Sequence, residues 1–415
     1  MTMRMRTGLM LIVALAMMGL ASCGHYVCGA NFGNSTCAQG TVSLTGSGGG
    51  STAAAFAFVA NGSGVGSMVG YTLNTSATPP TLTGTSNYVA PVTPSHDAGI
   101  GMTVAQKQFL YAAFGSTQQI FGWTISSTGS LTPVANSPYL VPTLTIFSAT
   151  EFDTARVITN PAGTLLFVGD EFSSQVYVFQ IGSGGALTAV AGSPFAVSFP
   201  AGNMTTDGQG KYLYFTDSFS GSHTGSQIAA YSIGTGTGSA LGALTLVPGS
   251  PFSAANFNMW QVQGEPTGQF LIGTTGLSSD LYVFSISQST GALSTPVLYP
   301  TTNPSENIAA QQNSGGNLVY SFGLDSAGTG FNAVEGYQLS SGVLTKLNGS
   351  PFLNAAVGDS GKFDQSGGLL FVYGGLFDGK TVVYTLTSFD VSSGNLTTPT
   401  ATGTYGGYWV VTDAP

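Results

Sequence analysis

An internal recurrence constrains this chain more than any other feature. A segment of the form Gly-x-(Phe/Leu)-Leu-(Tyr/Phe)-Val appears as Phe56-Ala-Phe-Val59, Phe109-Leu-Tyr-Ala112, Leu165-Leu-Phe-Val168 and Tyr212-Leu-Tyr-Phe215. It returns as Phe270-Leu-Ile-Gly273, Leu318-Val-Tyr-Ser321 and Leu369-Leu-Phe-Val372, giving seven copies with a mean period of about 52 residues. A second run follows each copy and carries an aromatic at a fixed place: Tyr71, Trp123, Phe179, Tyr231, Phe284, Tyr337 and Phe389. Next comes a turn and strand built on Gly-x-Leu-Thr, as at Gly129, Gly185, Gly242 and Gly342. Ser-Pro-aromatic then ends four units, at Ser137, Ser193, Ser250 and Ser350. A weaker strand precedes the first motif, as in Arg156-Val-Ile-Thr159 and Gln261-Val-Gln263.

Four short strands per unit, rich in aromatic and β-branched residues and punctuated by Gly and Pro, describe a β-propeller blade. One such sheet cannot bury both faces alone, whereas sheets packed radially cover each other. A solenoid coil is shorter than this period, and a β-sandwich needs about 100 residues. Composition agrees: 60 Gly and 19 Pro, with only 6% charged residues, leave little material for exposed long helices. The expectation is an all-β, seven-bladed β-propeller of four-stranded blades over residues 53–415. Its C-terminal strand, at Trp409-Val-Val-Thr, is expected to pair with the first strands and close the ring in one blade.

The N-terminus reads as an address. Arg4 and Arg6 precede an apolar run from Leu9 to Leu20, too short for a comfortable span of about 20 residues. Leu20-Ala21-Ser22-Cys23 resembles the lipobox of bacterial lipoproteins, which makes 1–22 a signal peptide and Cys23 the lipidated first residue. Gly24 after the cysteine favours the outer membrane or cell surface. Cys28 and Cys37, an even remainder in an exported chain, are expected to form a small disulfide loop. With the Gly- and Ser-rich stretch to residue 52 they make a tether. The net charge of −9 excludes nucleic acid as a natural partner, and the membrane is reached through the lipid alone.

The phrases Leu-Tyr-Val, Val-Tyr-x-Phe-x-Ile, Gly-Ala-Leu-Thr-x-Val and Gly-Ser-Pro-Phe resemble the lactonase-type seven-bladed propellers. That family takes in 6-phosphogluconolactonase, carboxymuconate-cyclase relatives and the YVTN-repeat surface proteins. The resemblance implies a Pro-His-x-His stretch and then Asp-Leu-Gly-x-Asp-(Arg/Lys)-Val. The matching register here holds Asp153 and Ala155 in place of the histidines, then Ser174 and Gln175 in place of the second Asp and the basic residue. Asp170 alone survives. Sugar-phosphate recognition wants guanidinium or ammonium groups, and the mature chain keeps only Arg156 among arginines.

In a propeller the loops entering each innermost strand share one rim with the loops joining the second and third strands. That rim is expected to gather Arg156, Trp260, Lys362 and Trp409 with Asp170, Glu171, Asp217, His223 and Asp325. Aromatics with a few polar groups suit a neutral, carbohydrate-like or protein ligand; the tryptophans would equally serve as a plug for the central channel. No metal-like pair of histidines occurs, no cofactor is called for, and no catalytic residue is assigned. The expectation is a monomeric envelope lipoprotein offering a binding or scaffold surface. A lactonase or another carbohydrate-active hydrolase is the alternative.

Overall fold

The first motifs are apolar at nearly every position, as a strand covered on both faces requires. Leu165, Leu166, Phe167 and Val168 are all buried. The computed structural model describes residues 54–61, 67–74, 81–89, 100–114, 118–142, 156–169, 173–217, 227–236, 238–254, 259–275, 278–313, 316–323, 333–352, 360–363, 368–377, 382–391, 394, 396, 401–405 and 409–413. It is an all-β propeller of antiparallel sheets.

Sheet C shows the plan. Its strands run Arg156–Thr159, Leu165–Gly169, Gln175–Ile181 and Leu187–Ala189 in spatial order, and a short strand Phe195–Ala196 returns to pair with the third. Sheets B and D repeat it with the returning strand, and E, F and G repeat the four-stranded part; their first strands are Ile100–Ala105, Asn203–Thr206, Gln261–Gly264, Ser305–Asn313 and Ser360–Phe363. In sheet A the strand Ala54–Asn61 pairs with Ser67–Asn74 on one side and with Trp409–Asp413 on the other. First strands lie against their successors from B through G.

The recurring aromatic has a fixed partner. Ala57 faces Tyr71, Leu110 faces Trp123, Leu166 faces Phe179 and Leu213 faces Tyr231 across neighbouring strands. Leu271 with Phe284, Val319 with Tyr337 and Leu370 with Phe389 complete the set. Strand alternation then sends successive residues to opposite sheet faces. Leu166 and Val168 pack with Phe109 and Tyr111 of sheet B, while Leu165 and Phe167 pack with Leu213 and Phe215 of sheet D. The same two-sided burial joins D to E, E to F and F to G.

Two sequence motifs meet across four of these interfaces, the exception being C to D, where Phe167 holds the tyrosine position. The Tyr111 hydroxyl of sheet B donates to the Gly185 carbonyl in the Gly-x-Leu-Thr turn of sheet C at 2.6 Å. Tyr214 donates to Gly291 at 2.9 Å and Tyr320 to Gly394 at 2.6 Å, each one sheet onward. Sheet E has Ile272 at the tyrosine position, and there Tyr299 donates to Gly342 at 2.9 Å instead. Burial pushes the Tyr111, Tyr214 and Tyr320 phenols far above their ordinary range, so all three stay neutral donors. The turn glycine is required on two counts. Gly185 sits at φ 78°, and a Cβ there would lie 2.4 Å from the Phe109 ring.

The Ser-Pro-aromatic ends are one device used four times. Ser137, Ser193, Ser250 and Ser350 accept the Gly122, Val178, Ala230 and Gly336 N–H groups at 2.8 to 3.0 Å, next to cis Ser-Pro bonds. Tyr139, Phe195 and Phe252 then pair back with the third strand, and the Phe352 N–H bonds the Val334 carbonyl.

Tyr214→Phe removes a buried donor from the Gly291 carbonyl. A loss of about 1–3 kcal/mol is expected from urea unfolding at unchanged slope. Gly291→Ala adds positive-φ strain to a Cβ placed 2.4 Å from the Tyr212 ring, and its loss should exceed that of the tyrosine variant.

Candidate functional site

An innermost strand is an edge strand, and its inward N–H and C=O groups need partners. Pairing with the second strand sets a common register. Gly101, Arg156, Asn203, Gln261, Asn307, Ser360 and Trp409 share the level at which the chain enters these strands. At three consecutive sheets the side chain at this level clasps the next first strand. Arg156 Nε donates to the Gly202 carbonyl at 2.5 Å. Asn203 Oδ1 accepts the Val262 N–H at 3.2 Å, and Gln261 Oε1 accepts the Ile308 N–H at 2.5 Å. Two residues further in, Thr205 Oγ1 accepts the Gly264 N–H at 3.1 Å.

This polar belt relocates the expected site residues. Arg156 stands at the entry level, half-buried, with its Nε engaged by the next sheet. Trp409 shares that level through its backbone pairing with Ala60. Trp260 lies one residue before it, half-buried, with its backbone N–H on the Thr274 carbonyl. Lys362 was expected among the rim loops; instead it belongs to the first strand of sheet G, opposite Phe371 and two residues inside the entry level. Asp217 is buried, and its Oδ1 accepts the Gln227 N–H at 3.2 Å, closing the base of the 218–226 insertion. Asp170, Glu171, His223 and Asp325 lie outside the described residues, as do Cys23, Cys28 and Cys37. The structure therefore brings Arg156 and Trp409 to one level, with Trp260 beside it.

Three acids that the sequence reading did not weigh have plain structural partners. Asp207 accepts the Lys211 and Tyr212 N–H groups at 2.7 and 2.8 Å, and Glu265 accepts those of Gln269 and Phe270 at 2.6 and 3.1 Å. Both acids close the turn after a first strand, on the rim opposite the long connections. Glu335 is buried at 1% exposure and takes the Thr302 N–H at 2.6 Å, the Tyr337 hydroxyl at 2.8 Å and the Lys346 ammonium at 2.6 Å. It fastens the crossover from sheet E to sheet F. Glu306 differs: the pairing skips it between Ser305 and Asn307, which makes it the extra residue of a β-bulge beside the entry level. Bulges often stand next to functional sites. Its signal in the sequence was only one acid in Pro304-Ser-Glu-Asn307.

Among the described residues no group of three or more His, Cys, Asp or Glu stands together as a metal site would require, and no helix is long and apolar enough to cross a membrane.

No family model matches this chain, and no curated protein matches it. Solved structures share its fold at low identity. A protein from Lactobacillus plantarum superimposes with TM-score 0.60 at 18% identity, over 87% of this chain and 99% of its own. A provisionally assigned 6-phosphogluconolactonase from Bacteroides uniformis gives 0.59 at 16%, with the same coverage. The periplasmic gluconolactonase of Pseudomonas aeruginosa gives 0.50 at 17%, over 71% of this chain and 82% of that one. The shared feature is the fold: this β-propeller is structurally similar to lactonase-type propellers at low identity.

Burial raises the Asp207 carboxyl above its ordinary 3.8, against three backbone N–H groups that pull it down. Between those two values the folded chain holds a proton that the unfolded chain has released. The contribution of this group to stability is therefore greatest at low pH and falls as pH rises through that window. Asp207→Asn should lack this fall, and unfolding free energies of both proteins between about pH 3 and 6 test it.

Proposed function

We propose that this chain is an exported envelope lipoprotein whose seven-bladed propeller binds a neutral, carbohydrate-like ligand at its loop-bearing mouth. One observation carries the reading. Entry-level side chains of three consecutive sheets, Arg156, Asn203 and Gln261, are engaged with neighbouring backbone. A rigid polar mouth with few ionised groups suits orientation of a ligand more than proton transfer. Closure of the ring in sheet A is part of the proposal. Support for it comes from the register of Phe56 to Ala60 against Asp413 to Trp409 and from the contact of that last strand with the first strands of B and G. Lipidation at Cys23 and the Cys28–Cys37 loop rest on the sequence.

Lactone opening is the second reading. It is favoured by the likeness to a gluconolactonase and a provisional 6-phosphogluconolactonase, which concerns the fold. Glu306 at the bulge and Asp170 are the carboxylates to test for it.

The full mature chain, extracted from membranes, should show a saturable shift of tryptophan fluorescence with a neutral oligosaccharide, lost in Trp260→Ala. It should open no lactone of a mixed panel above the buffer rate. Hydrolysis abolished by Glu306→Gln or Asp170→Ala would replace binding with catalysis. Mass spectrometry of the membrane fraction should find an acylated Cys23, and an unmodified N-terminus elsewhere would remove the anchor.

A further inference from the structure

The four Ser-Pro ends share one turn, and sheet F spells it differently. Sheet B has Val134-Ala-Asn136-Ser137, and sheets C and D have Val190-Ala-Gly192-Ser193 and Val247-Pro-Gly249-Ser250. Sheet F has Leu347-Asn348-Gly349-Ser350. In each turn the serine N–H donates to the carbonyl three residues back, at 2.9 to 3.2 Å. The third residue is left-handed throughout, with Asn136 at φ 64° and Gly349 at φ 83°. In sheet B the asparagine fills that third place, so the N–H after it is the bonded one of Ser137. In sheet F the asparagine stands second, and the N–H after it belongs to Gly349.

That N–H is different. The bond that closes a β-turn comes from the fourth residue and leaves the third N–H outside it. Among the described residues nothing accepts from Gly349 N–H, and nothing bonds the Asn348 side chain. Both residues are exposed. Asn160 and Asn303 precede prolines and have no N–H after them, while the Ile308 N–H after Asn307 is held by Gln261 Oε1 at 2.5 Å. Asn61-Gly62 is the other such dipeptide in the chain, and Gly62 lies outside the described residues.

We propose that Asn348 is a site of spontaneous covalent modification by deamidation. The Gly349 nitrogen attacks the Asn348 side-chain carbonyl carbon, and a glycine puts no Cβ in its way. A nitrogen–carbon bond forms, the bond from that carbon to the amide nitrogen breaks, and ammonia leaves with the proton that Gly349 gives up. Water then opens the five-membered imide at either carbonyl. One product is aspartate; the other is isoaspartate, in which the main chain runs through the former side-chain carbon and is longer by one methylene. Ser350 Oγ, next in the turn, accepts the Gly336 N–H at 3.0 Å, and the Leu347 N–H donates to the Gly336 carbonyl at 2.9 Å. A longer chain between Leu347 and Ser350 therefore loosens the third strand of sheet F at Gly336. The inference is independent of any ligand.

Peptide mass spectrometry of the full mature chain, aged in mildly acidic and mildly alkaline buffers, tests it. The Asn348 peptide should gain one mass unit at least tenfold faster than the Asn136 peptide, and faster in alkali, where the attacking nitrogen loses its proton more readily. Fragmentation should find isoaspartate as well as aspartate. Amide exchange at Gly336 should quicken on ageing, stay constant in Asn348→Ser, and stay slow in fresh Asn348→Asp, which has the charge without the added methylene. Equal rates at Asn348 and Asn136 overturn the site, as does an Asn348 peptide that keeps its mass while that of Asn61 changes. Isoaspartate at Asn348 with unaltered exchange at Gly336 keeps the site and overturns its effect on sheet F.

Discussion

A four-stranded sheet with apolar residues on both faces is unstable in water until something covers each face. Everything else in this molecule follows from that demand. Residues such as Leu165 and Leu166 are adjacent in sequence yet pack into different clusters, one shared with each neighbouring sheet. Among the described residues, the cores of sheets B to G are each shared with a neighbour. The hydrophobic term is non-directional, so it alone would leave the sheets free to slide, and the polar links supply the register. The bonds of Tyr111, Tyr214 and Tyr320 fix the outer turn of one sheet to the second strand of the sheet before it, and that of Tyr299 does so from a fourth strand. The belt of Arg156, Asn203 and Gln261 fixes the first strands to one another.

This division of labour shows what the chain can spare for function. Tight turns and their caps, built on Asp207 and Glu265, occupy one rim, where Asn160 Oδ1 likewise accepts the Thr164 and Leu165 N–H groups. The strand ends on the opposite rim, such as Arg156 and Asp217, border the connections that vary in length and composition in the sequence. Most ionised groups that the structure describes have structural work to do. Glu335 and Lys346 form a pair across the E-to-F crossover, and Asp217 closes a loop base. At the entry level that leaves Arg156, Asn203 and Gln261, each bonded to neighbouring backbone.

The blade was legible because its signals are periodic and local. Strand, turn and Ser-Pro end each repeat a composition whose physical cause is backbone geometry, and each recurs in phase with the others. The pairing of Leu166 with Phe179, or Leu271 with Phe284, is the spatial form of that phase. The candidate site was less legible. Arg156 reads in sequence as the one arginine available to an anion, yet its Nε serves the Gly202 carbonyl, a residue 46 positions away. Asn203 and Gln261 read as ordinary polar residues at the start of weak strands, and their role exists only once the next sheet is in place. Lys362 was assigned to a loop because its strand, Ser-Gly-Lys-Phe, carries a weak pattern. Register, rather than composition, locates it.

Because the sheets hold their cores in common, the most direct test is amide hydrogen exchange of the native protein across rising denaturant. Central-strand amides of sheets B to G, such as those of Leu110, Leu166, Leu213, Leu271, Val319 and Leu370, should converge on a single opening free energy equal to that of global unfolding. A sheet whose central amides open at a distinctly lower free energy, with its neighbours still protected, would contradict the account.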